Sequence, residues 1–297
     1  MRMLVTGASG WIGSASVTEL LAAGHHVLGL ARSDEAAARI AALGAEVVRG
    51  SLDDPGSLRA AARQADGVLH LGYNHDFSRM AAAAETDRAA IEAFAEVLAG
   101  SGGPLLMASG TLGLAVGRVA TERDMPNPAA HPRVANSTYA LGLAARGVRS
   151  MVMRFAPTVH GAGGDHGFVA TLARTARAKG VSGFIGEGGN RWPAVHRLDA
   201  ARLVASAMDR APAGSVLHAV AEEGIATRDI AAALGEHLGL PTASIAPDRA
   251  AEHFDWLGAF FGADVPASSM LTRELLDWAP KQPSLLEDIA AGHYPGT

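Results

Sequence analysis

The stretch Met3-Leu4-Val5-Thr6-Gly7-Ala8-Ser9-Gly10-Trp11-Ile12-Gly13 constrains this chain more than any other. Met3 to Val5 is an apolar run that reads as a short buried strand. After the break at Gly7, Ile12, Val17, Leu20 and Leu21 recur at helical spacing. A strand, a glycine turn and a helix N-terminus together make a site for an anion. Free backbone N–H groups point out of the helix end, and the helix dipole favours negative charge there. Gly7 permits the tight turn, Gly10 lets a pyrophosphate approach the backbone, and Gly13 lets the helix pack closely on the strand. The alternative is a tight βα turn with no ligand. The strand–turn–helix context favours a dinucleotide, held also by Ser9, Trp11 and Ile12.

His26 to Ala31 forms the second strand, so the first helix runs from about Ile12 to Ala23 and ends at Gly24. In a dinucleotide fold the end of this strand faces the adenosine ribose. An acidic residue there binds the 2′-hydroxyl of NAD. Here the strand ends Ala31-Arg32-Ser33, with a guanidinium where the carboxylate would stand. Arg32 and Ser33 therefore point to the 2′-phosphate of NADP(H). The next unit is a helix from Glu35 to Leu43, a strand from Ala45 to Arg49 and the turn Gly50-Ser51-Leu52-Asp53-Asp54-Pro55. Leu52 is expected against the adenine ring. Asp53 reads equally as a contact to the adenine amino group and as an N-cap for the helix Pro55 to Arg63.

The strand Gly67 to Gly72 is expected to pass under the cofactor with Leu71 and Gly72, while His70 reads as a satisfied core histidine. Tyr73-Asn74-His75-Asp76-Phe77-Ser78-Arg79 is polar and aromatic and follows a strand's carboxyl end, where open α/β sheets bind ligands. Tyr73, His75 and Phe77 are its candidates for lining a substrate cleft. Met80 to Ala99 is a long alanine-rich helix whose small faces suit tight packing, including against a second subunit in a homodimer. The strand Pro104 to Ala108 ends in Ser109-Gly110-Thr111, two hydroxyls placed to hydrogen-bond a substrate oxygen. Their other reading is as turn residues bonded only to backbone.

With 297 residues, 48% of them hydrophobic, the chain can bury a sizeable core. The net charge of −5 and the lack of a basic block argue against nucleic acid as partner. The absence of cysteine removes disulfides, thiolate metal sites and a thiol nucleophile. No apolar run has membrane-helix length, and the first residues enter a strand with no leader. A cytoplasmic protein with no membrane contact is expected.

The pattern resembles the short-chain dehydrogenase/reductase superfamily in its extended form, near proteins labelled NAD-dependent epimerase/dehydratase or 3β-hydroxysteroid-dehydrogenase-like. The resemblance rests on Thr6-Gly7-xx-Gly10-xx-Gly13, on Ser51-Leu52-Asp53-Asp54, on the Ser109/Thr111 strand end and on Arg154-Phe155-Ala156-Pro157-Thr158-Val159-His160-Gly161. Ala194 to Ala201 and Thr272 to Pro280 extend it along the chain. It implies an α/β fold, a doubly wound parallel Rossmann sheet with a small C-terminal substrate lid, and places Pro157 and Val159 at the cofactor. Members of that family carry a Tyr-xxx-Lys pair on the helix after the Ser/Thr strand; the tyrosine moves the proton and the lysine lowers its pKa. This chain has no such pair: four residues after Tyr139 stands Leu143. Counting back from Arg154 puts the lysine near Pro132-Arg133 and the tyrosine near Pro128-Ala129, where no phenol exists. Arg133 can replace the lysine as the cation for the cofactor ribose but is no acid near neutral pH. Tyr139 reads as a packing residue.

Imidazoles titrate near neutrality, and the chain has 12 histidines. His131 stands beside the missing tyrosine's position. His160 follows the Arg154 strand, and His166 lies in the glycine-rich stretch Gly163 to Phe168. No pair shows the helical spacing and carboxylate set of a metal site, so no metal is expected. The expected division is a dinucleotide-binding core over 1–160, joined by a strand and helix from 194–220, and a lid over most of 161–297. In the lid, helices are expected at Phe168–Ala178, His196–Asp209, Thr227–Leu238 and Asp248–Phe261, with Phe168 and Trp192 as an apolar wall and Asn190 and Arg191 as polar anchors. Phe184 reads as core. The expectation is an NADP(H)-dependent oxidoreductase acting on a carbonyl or alcohol of a small, mostly uncharged substrate. Ser109 or Thr111 would orient the oxygen, with Arg133 and a histidine such as His131 assisting. The rivals are a nucleotide-sugar epimerase/dehydratase and a non-catalytic NADP(H)-binding redox sensor.

Overall fold

The computed structural model describes residues 1–74, 79–129 and 132–296. The first half of the chain alternates strand and helix. Its elements are β1 (Arg2–Thr6), α1 (Trp11–Ala22), β2 (His26–Ala31), α2 (Asp34–Ala42), β3 (Glu46–Arg49), α3 (Pro55–Ala62), β4 (Gly67–His70), α4 (Met80–Leu98), β5 (Pro104–Gly110), α5 (Pro132–Gly142) and β6 (Arg149–Phe155). The second half holds β7 (Thr158–His160), α6 (Phe168–Lys179), β8 (Ser182–Ile185), β9 (Arg191–His196), α7 (Arg197–Arg210), β10 (Ser215–Ala219), β11 (Glu222–Ala226), α8 (Thr227–Leu238) and β12 (Thr242–Ile245). Short helices α9 (Ala250–Phe254), α10 (Gly258–Phe261), α11 (Met270–Leu276) and α12 (Leu285–Ala290) complete it.

The main sheet has seven strands in the order β3-β2-β1-β4-β5-β6-β10, and every pair in it is parallel. A parallel sheet is covered on both faces, so its strands read as unbroken apolar runs. Met3, Leu4 and Val5 are all fully buried, with Met3 and Val5 in one core cluster and Leu4 in the other. This is the doubly wound arrangement expected from the sequence. The strand order reverses between β1 and β4, which opens a crevice beyond their carboxyl ends. The glycine turn sits in that crevice.

Two smaller sheets form the C-terminal part, one ordered β11-β9-β7 and one pairing β12 with β8. The expected strand at Ala194-Val195 lies in β9 and pairs with β7 and β11, so it does not join the main sheet; α7 and β10 do join that unit, α7 by packing on α1. The helix expected over Asp248–Phe261 is broken. Asp255 turns the chain at φ 53°, and at Gly258 a side chain would stand 2.7 Å from the Ala250 carbonyl oxygen. That fold-back leaves two short helices where periodicity suggested one. The alanine face of α4 meets α3 and α5 of its own chain, burying Ala83, Ala84, Ala90, Ala93 and Ala95. No helix among the described residues is long and apolar enough to cross a membrane.

The cap of α3 separates two neighbouring aspartates. Asp54 accepts from the Gly56 and Ser57 N–H groups at 2.9 and 3.2 Å, while Asp53 is exposed and, among the described residues, bonds to Ser51 alone. Asp54→Ala is expected to cost about 1 kcal/mol, and Asp53→Ala to leave stability unchanged, as measured by urea unfolding of each variant.

Candidate active site

Close backbone contact shapes the glycine turn. Gly7 has φ 68°, and a Cβ there would stand 2.8 Å from the Gly72 nitrogen. A Cβ at Gly13 would stand 2.0 Å from the Gly7 carbonyl oxygen. Gly10 caps α1 with no side chain bonded to the helix end, leaving first-turn N–H groups open toward the crevice. Beneath the turn, Thr6 Oγ1 accepts the Gly72 N–H at 2.9 Å and lies 2.7 Å from His70 Nδ1. The Trp11 indole N–H donates to the Val159 carbonyl at 2.8 Å and so ties α1 to β7. The Arg197 guanidinium stacks 4.1 Å from the centre of that indole and has no hydrogen-bond or ion-pair partner among the described residues. Ile12 and Ser9 lie partly exposed beside them, as do Pro157 and Val159 across the crevice.

Arg32 is exposed directly after β2. Ser33 has a structural task as well: its Oγ accepts the Ala36 N–H and caps α2. Arg49 pairs in register with Ala31 from β3 and binds Asp34. This second guanidinium beside Arg32 escaped the sequence reading, because only strand register brings the two together. Leu52 packs at the Gly72 backbone, 3.3 Å from where a side chain there would begin, and Leu71 is partly exposed.

The carboxyl ends of β4 and β5 carry the polar chemistry. With its Nδ1 facing the Thr6 hydroxyl, His70 turns Nε2 toward Asp87 Oδ1 at 3.2 Å. Asn136 donates to Asp87 Oδ2 at 2.7 Å and to the Ala84 carbonyl at 2.8 Å. His70, Asp87 and Asn136 are all buried, so the imidazole read as a core residue belongs to a polar chain joining β1, β4, α4 and α5. Arg133, on the first turn of α5, donates to the Ala108 carbonyl at 3.3 Å and lies 4.0 Å from the centre of the Tyr73 ring. Ser137, one turn further, lies 3.2 Å from Ser109 Oγ. Thr111 and Thr158 are buried, and neither hydroxyl oxygen has a partner among the described residues. Tyr139 packs under the Arg88 guanidinium. His75, Phe77 and His131 lie outside the described residues.

The far wall corrects four expectations. His160 is fully buried with Nδ1 2.6 Å from Asp288 Oδ2, so it is turned into the wall and not toward a substrate. Trp192 is 1% exposed, donates to the Ala263 carbonyl and packs edge-on against Phe168 and Phe261, which makes it lid core. Asn190 donates to the Phe261 and Ala263 carbonyls, and Arg191 forks onto Asp264, so both polar anchors are spent inside the lid. Phe168 stays half-buried against Trp192 and Trp256, and His166 is exposed beside Asp165. Asp288 also faces His293 at 3.2 Å and His196 at 3.8 Å. No group of histidines and carboxylates among the described residues is arranged to hold a metal ion.

The sequence matches the model of the NAD dependent epimerase/dehydratase family over residues 3–219. This chain belongs to that family. It is 45% identical to an uncharacterized protein of Schizosaccharomyces pombe over 296 residues, covering 99% of this chain and all of the other. An uncharacterized protein of Saccharomyces cerevisiae is 44% identical over 296 residues, covering 99% of each. Among solved structures, UDP-glucose 4-epimerase of Thermotoga maritima superposes with a TM-score of 0.78 at 20% identity, covering 99% of this chain and 98% of that one. The dTDP-glucose 4,6-dehydratase DesIV of Streptomyces venezuelae, solved with NAD bound, superposes with a TM-score of 0.76 at 22% identity, covering 98% and 95%. These likenesses establish the fold. Family membership supports a nicotinamide cofactor and an oxidoreductase, epimerase or dehydratase chemistry.

The crevice fits such a cofactor. It offers a glycine cradle that any side chain would fill and, over Trp11, the Arg197 guanidinium, which has no hydrogen-bond or ion-pair partner among the described residues.

Behind the site, burial holds the His196 and His218 imidazoles below their usual pKa. His218 Nδ1 donates to the Ser268 carbonyl, and Nε2 faces Arg154 at 3.3 Å, so the ring must stay neutral to accept from the guanidinium. Below about pH 6.5 the unfolded chain takes up these protons and the folded one does not. Stability is therefore expected to fall as pH drops from 7 toward about 5.5, by at most roughly 1.4 kcal/mol per pH unit for each histidine. Thermal melts across that range check it, and His218→Gln should flatten the slope while lowering stability at pH 8.

Proposed function

We propose that this protein is an NADP(H)-dependent reductase or dehydrogenase acting on the carbonyl or alcohol of a small, mostly uncharged substrate. The observation that carries this reading is an intact dinucleotide turn with the Arg32 guanidinium exposed directly after β2. The residue directly after β2 is Arg32 and not a carboxylate that would receive a ribose 2′-hydroxyl, and Asp34 further on is paired with Arg49. A 2′-phosphate would meet the Arg32 guanidinium, with that of Arg49 held next to it by Asp34.

The remaining roles follow from position. The α1 N–H groups hold the pyrophosphate, and Arg197 faces it from the lid side. Thr111 and Thr158 offer their free hydroxyls to the nicotinamide half. Arg133, bonded to the base of the Ser109 strand end, steadies the ribose, and Ser109, braced by Ser137, orients the substrate oxygen. Bound NADP(H) would supply or accept the hydride. The lid brings few cations to this crevice, because Arg191 is already paired, and this favours an uncharged substrate over a nucleotide-sugar.

Calorimetric titration is expected to show NADPH binding on the order of tenfold or more tighter than NADH. Arg32→Ala should remove most of that difference and Arg49→Ala part of it. Equal affinity of the unaltered protein for both cofactors would overturn the NADP assignment. A panel of aldehydes and ketones with NADPH tests the reaction. Tight cofactor binding with no turnover on any member would replace the enzyme with a redox-sensing module.

A further inference from the structure

Reduction of a carbonyl leaves charge on oxygen, and a group with a dissociable proton must meet it. The helix that follows β5 supplies no phenol: its first turn presents Arg133, and Tyr139 packs against α4 under Arg88. Ser109 and Ser137 hold each other, and their hydroxyls are far too weakly acidic to protonate an alkoxide unaided. His160, His196 and His218 are turned into the protein interior. Among the described residues, a phenol stands just past the carboxyl edge of β4, that of Tyr73.

Its surroundings are specific. Tyr73 follows Gly72, whose N–H is fixed to Thr6 beneath the glycine turn, so its backbone is held beside the cofactor cradle. Its ring lies 4.0 Å from the Arg133 guanidinium, and the same guanidinium is bonded to Ala108, the residue before Ser109. Arg133 therefore spans the gap between the Tyr73 ring and the Ser109 strand end. Behind them Asp87 lies within electrostatic reach of both Tyr73 and Arg133 and is itself held by His70 and Asn136.

We propose that Tyr73 is the proton donor and acceptor of this site, with Ser109 orienting the reacting oxygen and Arg133 as the cation that stabilises the phenolate. This rests on the reductase reading above. In the reductive direction the carbonyl carbon receives the hydride, the C=O π pair moves to oxygen, and that oxygen takes the Tyr73 proton. The phenolate left beside Arg133 is reprotonated from solvent. In the oxidative direction each transfer reverses. The pair of phenol and cation is thus assembled from two elements, β4 and α5, in place of two positions on one helix. Burial pushes the Tyr73 hydroxyl up, Arg133 pulls it down and Asp87 pushes it up, with burial the largest of the three. The hydroxyl is therefore protonated throughout the neutral range, as a donor must be.

The test uses Tyr73→Phe and Arg133→Met in the full chain. Tyr73→Phe is expected to keep NADPH affinity within about threefold and to lower kcat on the order of 100-fold or more. The unaltered enzyme should lose reductive activity only at alkaline pH above the ordinary tyrosine range, and Tyr73→Phe should lack that limb. Unchanged kcat in Tyr73→Phe overturns the proposal. A second readout does not depend on turnover. The chain has three tyrosines, so the phenolate absorbance of the unaltered protein minus that of Tyr73→Phe isolates one hydroxyl. Its midpoint should rise in Arg133→Met; a midpoint that does not move overturns the role given to Arg133. If the unaltered protein binds NADPH but reduces nothing, the reductase reading fails, and the titration still decides whether Tyr73 and Arg133 form a coupled pair.

Discussion

Three glycine backbones set the distances on which the rest of this structure depends. Gly13 lies so close to the Gly7 carbonyl that no side chain fits between them, and Gly7 is pressed in the same way onto Gly72. The first contact lets α1 lie against β1 with its N-terminus aimed along the crevice. The second brings the end of β4 up to the turn, where Thr6 fastens the Gly72 N–H. Helix, turn and neighbouring strand end are thereby locked together before any ligand arrives. Such a site has paid its ordering entropy in folding, so a dinucleotide meets donors already in place.

Buried charge explains the neighbouring region. A guanidinium as enclosed as that of Arg133 is tolerable only with an anion and acceptors near it. Asp87 supplies the anion from α4, the Ala108 carbonyl accepts, and the Tyr73 ring offers its π face. Asp87 in turn needs a donor, and Asn136 provides it from α5, while His70 Nε2 faces the carboxylate from β4 at 3.2 Å. One carboxylate thus ties the long alanine-rich helix to the reacting end of the sheet. The small residues around it allow α3, α4 and α5 to approach closely enough for that to happen.

The C-terminal segment acts on the opposite wall. Asp288 of α12 draws His160 of β7, His196 of β9 and His293 toward one point. Tyr294 accepts the Gly161 N–H and donates to Asp165. The loop after β7, rich in glycine, is thus held by the end of the chain. Its outward side remains for Arg197, which reaches over Trp11 to the glycine turn. A histidine that looked available in the sequence is the inner half of this fastening.

Local pattern and chemistry determined the parallel doubly wound sheet, the glycine turn and the guanidinium after β2. Each of these lives within a few consecutive residues: an apolar run, a turn that only glycine can make, a charge at a strand end. Asp54 over Asp53 as the helix cap was nearly legible for the same reason. Only tertiary structure decided which polar residues face the crevice, because that depends on partners far away in the chain. Asp288 took His160 out of the cleft from 128 residues away, and Ala263 claimed Trp192 from 71. Strand register set Arg49 beside Ala31, and the docking of α5 on β5 and β6 set Arg133 against Tyr73. The sequence alone thus specified the glycine turn and the open helix end beside it, since backbone geometry is local. Which phenol and which cation meet beside it was settled by packing, since a side chain's direction follows from what it is packed against.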